Sequence, residues 1–211
     1  MRKFKTDDGS FTLFNPEYEE YYHSKSGALE EAFEKFVKPC KIPELKGHIK
    51  ILDIGFGLGY NAIAAIDSTD NEIEIISLEK NFVSDLPKLK PKLKHYWIIE
   101  KLEYDPITKS YLYEDKRIHL KIKIGDATKV IKTINDKFDA VFLDPFSPSK
   151  NPELWTVEFF SEIKKRMKPN AILATYSYAK KVRNNLKKAG FIVKDGPIIG
   201  RRSPSTIAKN V

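Results

Sequence analysis

The sequence predicts an α/β fold, a mostly parallel sheet of seven strands with helices on both faces and a small hairpin-helix appendage at the N-terminus. Three observations carry this. Short apolar runs alternate with helix-period segments along most of the chain. The strand runs are continuously apolar, as strands buried on both faces require. A glycine-rich turn joins the first of these runs to the helix after it.

The order of elements follows from spacing and punctuation. Asp8-Gly9 is a turn between two short polar-aromatic stretches, so the chain opens with a hairpin. Leu29, Ala32, Phe33 and Phe36 recur at helical spacing between Gly27 and Val37, and Pro39 ends that helix. Residues 1–40 therefore form the appendage, packed on a main domain of residues 41–211. Strands are expected at Ile49–Phe56, Ile73–Leu78, Phe138–Leu143 and Ala171–Tyr176, with helices at Gly59–Ile66, Glu158–Met167 and Ala179–Ala189. Pro87 and Pro91 break any long helix between Phe82 and Leu102. Tyr111–Ile124 reads as a hairpin about Asp115-Lys116, Asp126 caps a helix to about Ile134, and Phe191–Lys194 with Ile198–Ala208 close the sheet.

Composition narrows the class. No apolar run approaches the roughly 18 residues of a membrane span, and the start of the chain, Met1 to Asp8, lacks a signal-peptide core. A cytoplasmic protein with no membrane association is expected. Cys40 is the single cysteine, which excludes an internal disulfide and a cysteine-cluster metal site, and no metal is expected. The net charge of +8 is unevenly spread: from Ile163 onward there are 13 Lys+Arg against one acid, Asp195, whereas the rest of the chain is net −4. That asymmetry suits an anionic partner on the C-terminal part, or lysine-rich solvated helix faces.

The turn Asp53-Ile54-Gly55-Phe56-Gly57-Leu58-Gly59 is a nucleotide-type site. A dinucleotide fingerprint needs glycine at position 60, where Tyr60 stands, so the spacing suits S-adenosylmethionine (SAM) instead. Asp53 is then expected to meet the cationic amine of SAM. Glu79 ends the second strand, 20 residues after Gly59, where an acid accepts from both ribose hydroxyls. Asp126 and Ala127 end another strand and suit the adenine. Phe56, Asn61 and Lys80 adjoin these positions and complete the expected cofactor set, with S-adenosylhomocysteine as product. After the fourth strand, Asp144-Pro145-Phe146 supplies a stiff loop with a carboxylate, carbonyls and an aromatic ring. It is similar to the Asp/Asn-Pro-Pro-aromatic loop of enzymes that methylate nitrogen. Asp144 is expected to orient an amine and accept a proton, and Phe146 to stack on a flat acceptor.

The run from Asp144 to Thr156 resembles the signature of the methyltransferase domain of the MnmC family, as do Leu173–Ser177, Val182–Leu186, Ala189–Phe191, Asp8–Ser10 and Tyr22–Glu31. The resemblance spans nearly the whole chain. It implies a Rossmann-like class I SAM-dependent methyltransferase acting on the exocyclic amine of 5-aminomethyluridine at the tRNA wobble position. It also implies a stand-alone form without FAD or the fused oxidase domain, so that other enzymes install the aminomethyl group. Under this reading His23 lies near the site, Lys150, Trp155 and Tyr176 join Phe146 against the anticodon loop, and Lys180, Lys181, Arg183, Arg201 and Arg202 contact phosphates. A small-molecule amine N-methyltransferase and a non-catalytic SAM- or RNA-binding protein are the competing readings.

Overall fold

The computed structural model describes every residue except Asp85 and Arg201, and of Pro87 only the backbone. The N-terminal segment forms a three-stranded sheet in the order β1 (Lys3–Lys5), β2 (Phe11–Asn15), β3 (Glu20–Tyr21). The expected hairpin is β1–β2, which pair antiparallel. The third strand escaped the sequence because it is two residues long.

Helix α1 (Ala28–Glu31) follows and runs on as a π-helix, Ala32–Val37. In that stretch the ladder widens by one residue, so that Lys38 N–H donates to Phe33 O. Leu13, Ala32 and Phe36 share one apolar cluster with Ile51 and Phe142, so the appendage is part of the main core.

The remaining strands are β4 (Ile49–Ile54), β5 (Ile73–Glu79), β6 (Glu103–Asp105), β7 (Ser110–Glu114), β8 (Ile118–Ile124), β9 (Phe138–Leu143), β10 (Met167–Thr175), β11 (Ile192–Asp195) and β12 (Thr206–Lys209). They form one sheet of nine strands, not seven, in the order β11-β12-β10-β9-β4-β5-β8-β7-β6. The five central strands are parallel; both edges are antiparallel. The sheet is extended at one edge by β7, the first arm of the Tyr111–Ile124 region, and by β6, which precedes that region. The second arm of the region is β8, a parallel neighbour of β5, while β7 continues outward to β6.

Helix α2 (Tyr60–Asp67) packs with α1 and the π-helix on one face of the sheet. On the other, α3 (Ala127–Val130), α4 (Val157–Lys165) and α5 (Lys180–Lys188) cover the second cluster. Strand alternation divides the apolar residues: Ile49 and Ile51 of β4 face the α2 side, Leu52 and Ile54 the other. Asp53 has the parity of Ile51 and points under the α1–α2 layer. Among the described residues no helix is long and apolar enough to cross a membrane, and none group as three or more metal-ligand side chains.

Candidate active site

A cavity of about 580 Å³ opens at the C-terminal ends of β4, β5, β8 and β9, where an open α/β sheet binds its ligands. Its walls include Gly55, Gly57, Glu79, Lys80, Asp126, Ala127, Asp144, Pro145 and Phe146 from the sheet side. The N-terminal segment closes it with Tyr18, Glu20, Tyr22, His23 and Glu31.

The glycine turn exists because only glycine fits it. Gly55 has φ +90°, and a Cβ there would lie 2.7 Å from the Asp144 carbonyl oxygen, a backbone atom that cannot move aside. The two site loops therefore touch through bare backbone. Gly57 N–H donates 2.9 Å to Glu79 Oε2, and Asn81 N–H donates 3.1 Å to Oε1. Burial raises the Glu79 carboxyl above its ordinary value despite these donors. Asp126 Oδ1 accepts from Thr128 N–H and so caps α3, while its residue also lines the cavity. The residues expected to hold SAM at the turn, Gly55 and Gly57, and at the two strand ends, Glu79, Asp126 and Ala127, line one cavity together.

The Asp144–Phe146 loop is pinned at each residue. Asp144 N–H donates to Ile54 O, and Asn61 Nδ2 donates 2.7 Å to Asp144 Oδ2. Tyr176 Oη donates to Pro145 O at 3.0 Å, and Trp155 Nε1 to Phe146 O at 3.0 Å. Burial, and then the charge of Glu31, raise the Asp144 carboxyl well above its usual value. Phe146 is stacked on Tyr18, ring centroids 4.4 Å apart, and tilted against Tyr22.

Several expected residues sit elsewhere. Asp53 is fully buried, accepts from Ser77 Oγ at 2.8 Å and is not a wall of the cavity, because its parity turns it beneath the helices. Burial pushes its carboxyl up to about 7. Phe56, Gly59 and Asn61 also lie behind the wall: Phe56 packs on Phe82, Gly59 starts α2 at φ +78°, and Asn61 reaches the site only through Asp144. Trp155 is 3% exposed and edge-on to Tyr176, so it supports the loop and offers no face to a base. Tyr176 does line the cavity. Lys80 and Lys150 bind the turn between β2 and β3, Lys80 to Glu17 and Tyr18, Lys150 to Glu19 at 2.8 Å.

His23 is a buried wall residue, not an exposed hairpin side chain. Its ring stacks on Tyr60, its Nδ1 has no hydrogen-bond partner among the described residues, and burial lowers its pKa to about 4. Lys180 and Lys181 are exposed at the start of α5, at the cavity end of the sheet; Arg183 is tied to Asp195 at 2.7 Å. Arg202 is exposed, and Arg201 lies outside the described residues.

Sequence reasoning missed Glu31 and Lys35. Their side chains meet at 2.6 Å, both almost fully buried, and Ser24 N–H donates to the second Glu31 oxygen. Burial acts to raise the Glu31 carboxyl, but Lys35 and the hydrogen bonds outweigh it and hold it low. Glutamate and lysine four apart on a helix read as a solvent-facing pair; the burial arises only when the appendage folds onto the sheet.

Residues 90–210 match the family described as S-adenosyl-L-methionine-dependent methyltransferase. The crystal structure of MNMC2 from Aquifex aeolicus superposes with a TM-score of 0.87 at 39% identity, over 98% of this chain and 69% of that one. An uncharacterized protein of Methanocaldococcus jannaschii is 36% identical over 97% of this chain. The bifunctional tRNA 5-methylaminomethyl-2-thiouridine biosynthesis protein MnmC of Methylibium petroleiphilum is 30% identical over 92% of it. The chain spans 58% of the Methanocaldococcus protein and 32% of the Methylibium protein.

Proposed function

Because the chain belongs to the S-adenosyl-L-methionine-dependent methyltransferase family that includes the MnmC methyltransferase domain, we propose that it methylates the primary amine of 5-aminomethyluridine at the tRNA wobble position, giving 5-methylaminomethyluridine. The observation that carries this reading is the Asp144–Phe146 loop, held on the cavity by Asn61, Tyr176 and Trp155.

When bound, SAM supplies an electrophilic methyl group on a sulfonium sulfur. A neutral amine forms the C–N bond as the C–S bond breaks, and the nitrogen acquires positive charge. Asp144, fixed by Asn61, orients the amine, and its raised basicity suits it to take the proton that the product sheds. Asp144, Pro145 and Phe146 are the residues at the reacting atoms in this reading. The anticodon loop enters beside Phe146 and Tyr176, and Lys180 and Lys181 meet phosphates without reading sequence. The basic C-terminal part favours an anionic acceptor over a free polyamine. Cytoplasmic enzymes that install the aminomethyl group supply its substrate.

The direct test is transfer of a labelled methyl from SAM to tRNA bearing 5-aminomethyluridine, read by nucleoside mass spectrometry. Label in 5-methylaminomethyluridine is expected. Transfer to small amines with none to that tRNA overturns the reading.

A further inference from the structure

Phe146 is the ring on the cavity wall that a flat acceptor would meet, and the backbone on both sides of it is held. Tyr176 Oη fixes the peptide before it by donating to Pro145 O, and Trp155 Nε1 fixes the peptide after it by donating to Phe146 O at 3.0 Å. That second peptide is also gripped at its other polar atom. Ser147 N–H donates 3.0 Å to Glu20 Oε2, and Ser147 Oγ donates to Glu20 Oε1. Peptides are planar, so two fixed planes leave Phe146 little freedom in φ or ψ, and its Cα–Cβ bond points one way. Rotation about the side-chain bonds is restrained in turn by Tyr18, whose ring is stacked on that of Phe146 with 19° between the planes. Tyr18 thereby takes one face of Phe146 as a fixed backing.

Glu20 and Tyr18 reach this loop from far away in sequence, 127 residues in the case of Glu20. Tyr18 lies in the turn between β2 and β3, and Glu20 opens β3. The turn is stiff in itself, because Asn15 Oδ1 accepts from the N–H groups of both Glu17 and Tyr18.

The ties between this turn and the rest of the site are unequal. The Lys80–Glu17 pair is more than half exposed on both sides, at 60% and 56%, and contributes little. Glu19, which meets Lys150, is 74% exposed. The Glu20 side chain is half-buried and accepts two hydrogen bonds from one residue, a stronger tie because a carboxylate is the acceptor. Both of its oxygens serve Ser147, so Glu20, although a wall residue, acts on an acceptor through the loop.

We propose that Glu20 is a positioning residue for the acceptor. Through Ser147 it sets the Phe146 ring, with Tyr18 as the backing ring, and so governs how well a flat acceptor is held without governing how well SAM is bound. This rests on the reading of Phe146 as the ring that meets the acceptor.

The ring is observed directly by placing 4-fluorophenylalanine at position 146 and recording its fluorine resonance. With Glu20 in place a single narrow line is expected. Glu20→Ala broadens or splits it, and Glu20→Gln, which keeps a carbonyl acceptor for Ser147 N–H, restores most of the narrow line. A line that is the same in Glu20→Ala as with Glu20 present overturns the proposal. In the unlabelled protein, Glu20→Ala raises KM for aminomethyl-tRNA about tenfold, with kcat and the affinity for S-adenosylhomocysteine within about threefold. A tenfold loss of cofactor affinity overturns it. In a Phe146→Ala background the same substitution changes KM by less than about twofold, because its route to the acceptor is gone; a full tenfold addition there overturns it as well. Should Glu20→Ala fail to fold, Ser147→Ala, which removes one of the two bonds, is measured in the same way. Smaller changes in the same directions are then expected, and an unchanged line with unchanged KM overturns the proposal. A wild-type protein inactive on that tRNA defeats the functional reading, whereas the fluorine line needs no tRNA and decides by itself whether Glu20 sets the ring.

Discussion

Asn61 Nδ2 donates to Asp144 Oδ2 at 2.7 Å across a gap of 83 residues, joining the first helix after the glycine turn to the loop after the fourth parallel strand. Asn61 is 4% exposed and does not itself line the cavity, so its effect on chemistry passes through Asp144, which does. Asn61→Ala is expected to lower kcat about tenfold and leave the SAM dissociation constant within about threefold. Single-turnover methyl transfer and calorimetry check the two halves. Because Asn61 restrains the ionised carboxylate, the variant's pH–rate profile shifts toward higher pH, since without that donor the Asp144 carboxyl holds its proton more tightly.

Gly55 lies against the Asp144 carbonyl, with 2.7 Å available where a methyl needs well over 3 Å. Gly55→Ala adds strain at φ +90° and pushes the two site loops apart. We expect SAM affinity to fall by more than about tenfold and the melting temperature to drop by several degrees. An alanine variant with wild-type SAM affinity contradicts the seating of the cofactor on this turn.

Asp53 gives a pH signature. Its pKa rises from 3.8 to about 7 on folding, so the folded state binds the proton more tightly. That stability is fully present below about pH 4 and is lost as pH rises through 7. His23 acts in the opposite sense: its pKa falls to about 4, so its contribution is present above pH 6.5 and lost as pH falls through 4. The wild-type curve alone mixes the two. Asp53→Asn isolates the first: its stability relative to wild type is expected to grow by a few kcal/mol between pH 4 and pH 8, measured by urea unfolding. An unchanged difference across that range refutes the assignment.

Lys180 and Lys181 are exposed and, among the described residues, form no ion pair with an acid, whereas Arg183 is already engaged by Asp195. The double variant Lys180→Ala/Lys181→Ala is expected to weaken tRNA binding and flatten its salt dependence by about one log unit per lysine, leaving SAM binding untouched. Arg183→Ala should do less to tRNA affinity and more to stability, as its guanidinium also covers Tyr178 and Thr206. Filter binding across a salt series with parallel thermal melts distinguishes them.

The parts of this site that the sequence reveals are those fixed by local backbone demands. Gly55, Gly57 and Gly59 announce positive φ between an apolar strand and a helix, and Glu79 and Asp126 stand at strand ends whose positions follow from that pattern. Asp144–Phe146 is legible for the same reason. For Asp53 the motif gives the position along β4, whereas the side it faces depends on pleat parity, which only the folded sheet shows. Trp155 reads equally well as a ring for stacking or as a donor to a carbonyl, and only the fold brings Phe146 O to its indole nitrogen. Strand β6, Glu103–Asp105, is too short and polar to signal itself and exists because β7 offers it an edge. Glu31 and Lys35 are illegible for the reason that makes them interesting: their burial is a long-range fact.

The widened turn at Ala32–Val37 has a consequence for how this segment can change over time. One residue corresponds to about 100° of helix rotation. Loss of a single residue there would let the ladder close into an ordinary α-helix, yet it would swing everything before it, Glu31 included, away from the wall it occupies. The buried side chains of the stretch, Ala32, Lys35, Phe36 and Val37, are held by the core they fill, and the spacing is held as well. The segment works as a measured spacer, and among relatives that keep the same cavity its length, as well as its buried face, is what selection has to hold constant.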